Sequence, residues 1–82
     1  MKRNNTLAKS IMAAADPVIV KRVETRMLVA KMLQDYLALT GISQYALASK
    51  MGKNPSEVSK WLSGNHNFTI DTLSDIGYAL NT

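Results

Sequence analysis

The side chains of this sequence that could do chemistry are small, polar and basic ones between residues 53 and 66. None of the 82 residues is cysteine and His66 is the only histidine, so the chain offers no thiol nucleophile, no cysteine ligand for zinc and no second histidine to share a metal. Serine, histidine and aspartate all occur, but no glycine-framed nucleophile elbow accompanies them. We therefore expect no enzyme, no metal site and no cofactor, and we interpret His66 as a loop residue or a phosphate contact.

A helix predicted to begin at Pro55 and to run through Ser63 would carry most of these side chains on one face. Val58 and Trp61 or Leu62 are expected on its buried side, and we place Trp61 in the core rather than against a base. The side chains left outside are Pro55, Ser56, Ser59, Lys60 and Ser63. Small, polar or basic groups allow close approach to base edges and phosphates, whereas a bulky acidic face would not.

Residues that favour helix starts and stops define the two helices of this region. Ser43 is placed to cap a short helix from Gln44 to Met51, and Gly52 is placed to end it. The run Asn54-Pro55-Ser56-Glu57 opens the next helix, because asparagine can cap it, proline suits its first position and glutamate can complete a capping box. Gly64 is expected to stop that second helix.

Two short helices joined by the turn Gly52-Lys53-Asn54 have the geometry of a helix-turn-helix. In that motif the second helix is presented outward into the major groove of DNA. Leu47 and Ala48 of the first helix and Val58 and Trp61 of the second could lock the angle between them. An ordinary helical hairpin with a solvated face remains the alternative.

The rest of the chain is predicted to be helical as well. A short helix is expected from Thr6 to Ala15, the break Asp16-Pro17 follows, and the longest helix is expected from Lys21 to Leu39, ended by Gly41. Its core-facing stripe would be Val23, Met27, Ala30, Leu33, Tyr36 and Leu37. Thr69 is placed to cap a last helix with the stripe Ile70, Leu73, Ile76 and Leu80.

Composition limits the class of protein more than its mechanism. The chain suits one small domain, and its apolar stretches are too short to span a bilayer. Its first residues are basic but are not followed by the sustained hydrophobic core of a signal peptide, and the sequence has no cysteine, so we expect a cytoplasmic protein that does not enter membranes. The net charge is +4, but residues 1–40 carry all of it, whereas residues 41–82 are neutral overall. We treat residues 1–20 as an N-terminal arm or short helix and residues 21–82 as the helix-turn-helix domain.

From about residue 23 to 81 the sequence resembles the Cro/CI-type helix-turn-helix repressors of the XRE family. The resemblance lies in Gly41-Ile42-Ser43-Gln44, Leu47-Ala48, Met51-Gly52, Asn54 to Trp61, Gly64, Ile70, Leu73, Ile76 and Ala79-Leu80. It implies an all-α fold, a lambda-repressor-like bundle of about five short helices that includes a helix-turn-helix.

The resemblance also implies roles for nine residues. Gln44 would hydrogen-bond a backbone phosphate and brace the second helix of the motif. Ser56, Ser59 and Lys60 fall where the family places base-contacting side chains, and Asn54 and Pro55 form the helix start beside the groove. The loop residues that would touch phosphate are Lys53, Asn65 and His66.

Three features depart from the family's pattern. Tyr45 stands where a polar residue is common, and Leu62-Ser63 replaces a frequent Glu-Arg or Glu-Asn. Leu62 is thereby either a core residue or a contact for a partner. Pro55 has no amide hydrogen to donate, so reading of bases would begin at Ser56.

The function implied is a bacterial or phage transcriptional repressor that binds an inverted repeat in double-stranded DNA as a homodimer. Many small members of the family are antitoxins that also bind a toxin, as in the HigA type. The competing hypothesis is a protein-interaction module that keeps the fold without binding DNA. Residues 1–20 could be a loosely packed arm, a dimerisation element, a basic arm along DNA or a docking segment.

Overall fold

The computed structural model describes residues 14–81, and these residues form four helices and no strand. The helices are α1 (Pro17–Thr40), α2 (Gln44–Met51), α3 (Pro55–Leu62) and α4 (Ile70–Leu80). The all-α prediction is confirmed for this part of the chain. The helix expected from Thr6 to Ala15 lies outside it except for its last two residues, so the count of about five helices stays a prediction. No helix in the described range is long and apolar enough to cross a bilayer.

The longest helix, α1, begins four residues before the predicted start at Lys21. Asp16 caps it, since its side-chain oxygen accepts a hydrogen bond of 2.8 Å from the amide of Val18. Pro17 occupies the first turn, where no amide hydrogen is needed. The break seen in the sequence at Asp16-Pro17 is therefore a helix start. The helix ends as predicted at Gly41, whose φ of 72° is left-handed.

Only the second half of α1 supplies the core. Its buried side chains are Ala30, Leu33 and Leu37, and Tyr36 is half-buried. Val23 and Met27 were predicted in the core stripe and are instead 42% and 58% exposed, so this part of the prediction is wrong. The described residues that pack around the helix cover residues 30–37, and the earlier turns lack such cover.

The core lies where α2 meets the other helices, since α2 packs against α3 and α4 while α1 packs against α3. Leu47 of α2 and Val58 of α3 are fully buried, and Trp61 is 4% exposed, which confirms the placement of Trp61 in the core. No polar or charged side chain is buried in the described part of the chain. The main cluster comprises Leu33, Leu37, Leu47, Ala48, Val58, Trp61, Ile76 and Leu80.

The prediction for the last helix, α4, is right for its cap and its C-terminal half and wrong for its first turn. Thr69 caps it, accepting a hydrogen bond of 3.0 Å from the amide of Thr72, and Ile76 and Leu80 are buried. Ile70 and Leu73, predicted on the same buried stripe, are 84% and 41% exposed. The reason is the one that applies to α1: the first turn of α4 extends past the core, where no helix covers it.

The C-terminal end of α4 is tied to α1 by one hydrogen bond, in which the half-buried Tyr36 hydroxyl donates to the Leu80 carbonyl at 3.2 Å. We expect Tyr36→Phe to lower the free energy of unfolding by about 0.5–1.5 kcal/mol, the typical net contribution of such a bond. Urea unfolding followed by circular dichroism measures the change. The matched control is Tyr45→Phe, because Tyr45 is 75% exposed and should change stability little. Equal effects of the two changes would contradict this assignment.

Candidate nucleic-acid interface

The pair α2 and α3 forms a helix-turn-helix with well-defined ends. Ser43 caps α2 as predicted, its hydroxyl accepting a hydrogen bond of 3.0 Å from the amide of Ala46. Gly52 ends α2 with a left-handed φ of 65°, and the Lys53 amide then donates to the Ala48 carbonyl at 2.9 Å. This hydrogen bond closes the end of α2, and α3 starts at Pro55 after a connection of three residues.

The start of α3 differs from the predicted capping box. The side chain of Asn54 makes no capping hydrogen bond, and the Glu57 amide donates to the Asn54 main-chain carbonyl at 3.0 Å. Pro55 presets the first turn and has no amide to satisfy, so the helix begins without the side-chain cap. The exposed Asn54 amide group therefore remains available to a ligand.

The outward face of α3 consists of Ser56, Ser59 and Lys60. All three are exposed, and their spacing of three and four residues brings them to one side of the helix. Val58 and Trp61 are buried on the opposite side. Pro55, expected among the outward residues, is half-buried. This arrangement presents two hydroxyls and one ammonium group on a helix whose other side is anchored in the core.

The end of α3 lies one residue before the predicted one. The helix ends at Leu62, and the hydroxyl of Ser63 donates to the Lys60 carbonyl at 2.7 Å while accepting from the Asn65 amide at 3.2 Å. Ser63 is thus occupied by local hydrogen bonds. Leu62 is half-buried and packs against the core cluster, so of the two roles considered for it the structure shows that of a residue at the edge of the core.

A residue that the sequence did not single out braces this helix. The side-chain amide of Gln34 in α1 donates to the Leu62 carbonyl at 2.7 Å, satisfying one of the carbonyls that a helix end leaves without a partner. Gln34 and Leu62 are 28 residues apart in sequence, and no local pattern signals such a contact. The sequence shows only that Gln34 follows the predicted core residue Leu33.

Gln44, expected to brace α3 and to bind phosphate, is exposed at the first position of α2. Within the described residues its side chain makes no hydrogen bond to α3. The side-chain hydrogen bond to α3 comes from Gln34 instead. Gln44 lines a shallow surface groove together with Gln34 and Leu62. Its amide group is therefore free to meet a ligand beside the end of α3.

The remaining predicted contacts lie in the segments before and after α3. Lys53 and Asn65 are exposed, and His66 is half-buried. The ring of His66 packs edge-on against Phe68, with centroids 4.8 Å apart and an angle of 85° between the planes. This contact fixes the loop that follows α3.

Within residues 14–81, the cations near this face are not neutralised by a carboxylate. The ion pair of the described residues joins Lys31 to Asp35 on α1 at 3.1 Å, and neither Lys53 nor Lys60 takes part in one. An exposed ammonium group without a carboxylate partner is available to a phosphate or to an acceptor on a base edge.

The angle between α2 and α3 depends on the backbone of Gly52. A Cβ atom at this position would meet no atom within 4 Å, so the cost of a substitution there is conformational and not steric. Asparagine tolerates the left-handed region and a β-branched residue does not. We expect Gly52→Val to unfold at lower urea concentration than Gly52→Asn, by about 1 kcal/mol in the free energy of unfolding. Identical midpoints would show that the turn does not require this backbone conformation.

Comparison with known proteins agrees with this geometry. A helix-turn-helix family, HTH_3, matches the sequence over residues 33–82, which is more than half of the chain and includes α2, α3, α4 and the core-forming part of α1. No curated protein and no solved structure gives a significant match. The family is of the XRE type, and it comprises DNA-binding regulatory domains and not enzymes. The chain belongs to this XRE-type helix-turn-helix family of DNA-binding regulators.

Proposed function

We propose that this protein is a transcriptional repressor that binds an inverted repeat as a homodimer and inserts α3 into the major groove. The observation that carries the proposal is the division of α3 into two sides. Val58 and Trp61 anchor one side in the core, and the other side presents exposed Ser56, Ser59 and Lys60. A rigid helix with short polar side chains and one cation outward suits contact with base edges.

The nine predicted contact residues then divide by role. Ser56, Ser59 and Lys60 read bases, and Asn54 and Pro55 bring the start of the helix against the groove. Contacts to phosphate hold the domain in register without reading sequence. The residues proposed for those contacts are Gln44, Lys53, Asn65 and His66.

A dimer is part of the proposal because a single recognition helix covers few base pairs. A twofold dimer places two such helices about 34 Å apart, one turn of B-DNA. It also doubles the positive charge near the phosphates. This matters because residues 41–82 are neutral overall while residues 1–40 carry seven basic and three acidic side chains.

An antitoxin role is a further proposal, in which a toxin covers part of α1. The observation that favours it is a set of exposed apolar side chains on that helix, Leu28, Met32 and Leu39, which are 59%, 62% and 85% exposed. Residues 1–20, proposed as an arm, extend into the first turn of α1, and residues 1–13 lie outside the described part. A small ribonuclease-like gene beside this one would support the antitoxin role.

The test is a mobility-shift assay with the DNA upstream of the protein's own gene. We expect Lys60→Ala and Ser59→Ala each to weaken binding by about 1–3 kcal/mol and to relax the preference at one base position per half-site. Gln44→Ala should weaken binding to all sequences alike. Lys31→Ala is the charge-matched control, since Lys31 lies on α1 in an ion pair with Asp35.

Two results would contradict this account. No binding at low salt, where phosphate contacts are strongest, would leave the protein-interaction module as the function. A uniform loss across sequences for the Ser59 and Lys60 variants would make these residues phosphate contacts and reverse the proposed orientation of α3.

A further inference from the structure

A groove runs beside the N-terminal half of α1, which precedes the part of the helix that packs in the core. It has a volume of about 700 Å³ and lies between α1 and the segment from Asn67 to Leu73. Apolar side chains on both sides line it, namely Val18, Val29, Phe68 and Leu73. Val18 is 57% exposed and Leu73 41% exposed, so the other residues of the described range 14–81 leave this apolar surface largely uncovered.

The rim of the groove is basic. Lys21, Arg22 and Arg26 line it, and no acidic side chain does. None of the three cations forms an ion pair within residues 14–81, where the pair present is Lys31–Asp35. A groove lined by apolar side chains and by three cations without an ion pair fits a partner that is both apolar and acidic.

The outer face of α4 has that complementary character. Ile70 and Tyr78 are 84% and 88% exposed, and spacings of four residues bring Ile70, Ser74 and Tyr78 to one side of the helix. Asp71 and Asp75 lie beside them, and α4 contains no lysine, arginine or histidine. Asp75 borders a second groove with Lys50 and Lys53 but forms no ion pair with either.

We propose that the groove of each chain receives α4 of a second copy, in a twofold dimer. The inference deepens the homodimer of the proposed function by naming its interface. Twofold symmetry forms each contact twice, so Asp71 and Asp75 of each copy meet the basic rim of the other. The two surfaces adjoin within one chain, since Leu73 of α4 itself lines the groove, and a self-complementary interface requires such continuity.

Two other occupants of the groove fit less well. A second α1 would bring Arg22 and Arg26 against the same cations, and like charges across an interface cost several kcal/mol. A DNA phosphate backbone would meet the cations but leave Val18, Phe68 and Leu73 in water. The α4 face offers carboxylates to the cations and apolar side chains to the apolar lining of the groove.

The interface includes none of the residues proposed to read bases. Ser56, Ser59 and Lys60 belong to α3, and no residue of α3 lines the groove or lies on the outer face of α4. Of the proposed phosphate contacts, Lys53 borders the second groove beside Asp75 and Tyr78. The dimer can therefore form without DNA.

The test is a charge exchange in the full-length chain. The first variant carries Arg22→Glu and Arg26→Glu, and the second carries Asp71→Arg and Asp75→Arg. Each alone brings like charges together twice, so the dissociation constant of its homodimer should rise at least about tenfold. An equimolar mixture restores opposite charges at both contacts and should form a heterodimer of twice the 9.0 kDa chain mass, detected by sedimentation equilibrium without DNA.

Lys31→Glu is the control, because Lys31 lies on α1 without lining the groove and its replacement should leave the dimer intact. Circular dichroism establishes that each variant is helical. The proposal is overturned if the unaltered chain is monomeric, if the variants dimerise as tightly as the unaltered chain, or if two helical variants stay monomeric when mixed. A monomer that still shifts its operator would overturn the interface and leave DNA binding intact.

Discussion

The contact between α2 and α3 decides what the rest of this small domain can do. Leu47 and Ala48 of α2 and Val58 and Trp61 of α3 are buried together, and the short turn at Gly52 leaves little freedom in how the helices cross. With these side chains packed, Ser56, Ser59 and Lys60 can point only outward. The polar face of α3 is thus a consequence of what its other side buries, and the proposed reading of DNA depends on that anchoring.

The other two helices, α1 and α4, pack against this pair and also carry exposed surfaces. The second half of α1 packs against α3, and Gln34 donates a hydrogen bond to the carbonyl of Leu62 at the end of α3. The first half of α1 and the outer face of α4 contribute little to the core and expose apolar and charged side chains instead. A domain of this size has little core to spare, and the surfaces that residues 14–81 leave uncovered are the ones that we propose for the dimer interface.

Most helix ends and the core of the helix-turn-helix were predictable from the sequence, whereas the extent of packing around the longer helices was not. The caps at Ser43 and Thr69 and the left-handed glycines were predicted, because the hydrogen bonds of a helix end lie within a few residues. The box at Asn54 failed because the Glu57 amide bonds to a main-chain carbonyl instead. Periodicity identified the apolar side of α1 and α4 but not how far other helices cover it, which is why Val23, Met27, Ile70 and Leu73 were misplaced.

The central claim is that a twofold dimer holds two copies of α3 at a fixed distance, so that they read two half-sites in opposite orientation. Selection of bound duplexes from a random-sequence pool, with the full-length protein, tests it most directly. We predict enrichment of an inverted repeat whose half-site centres lie about 10 base pairs apart or a multiple of that distance. A pool that stays random, or that enriches a single half-site without a symmetric partner, would contradict it.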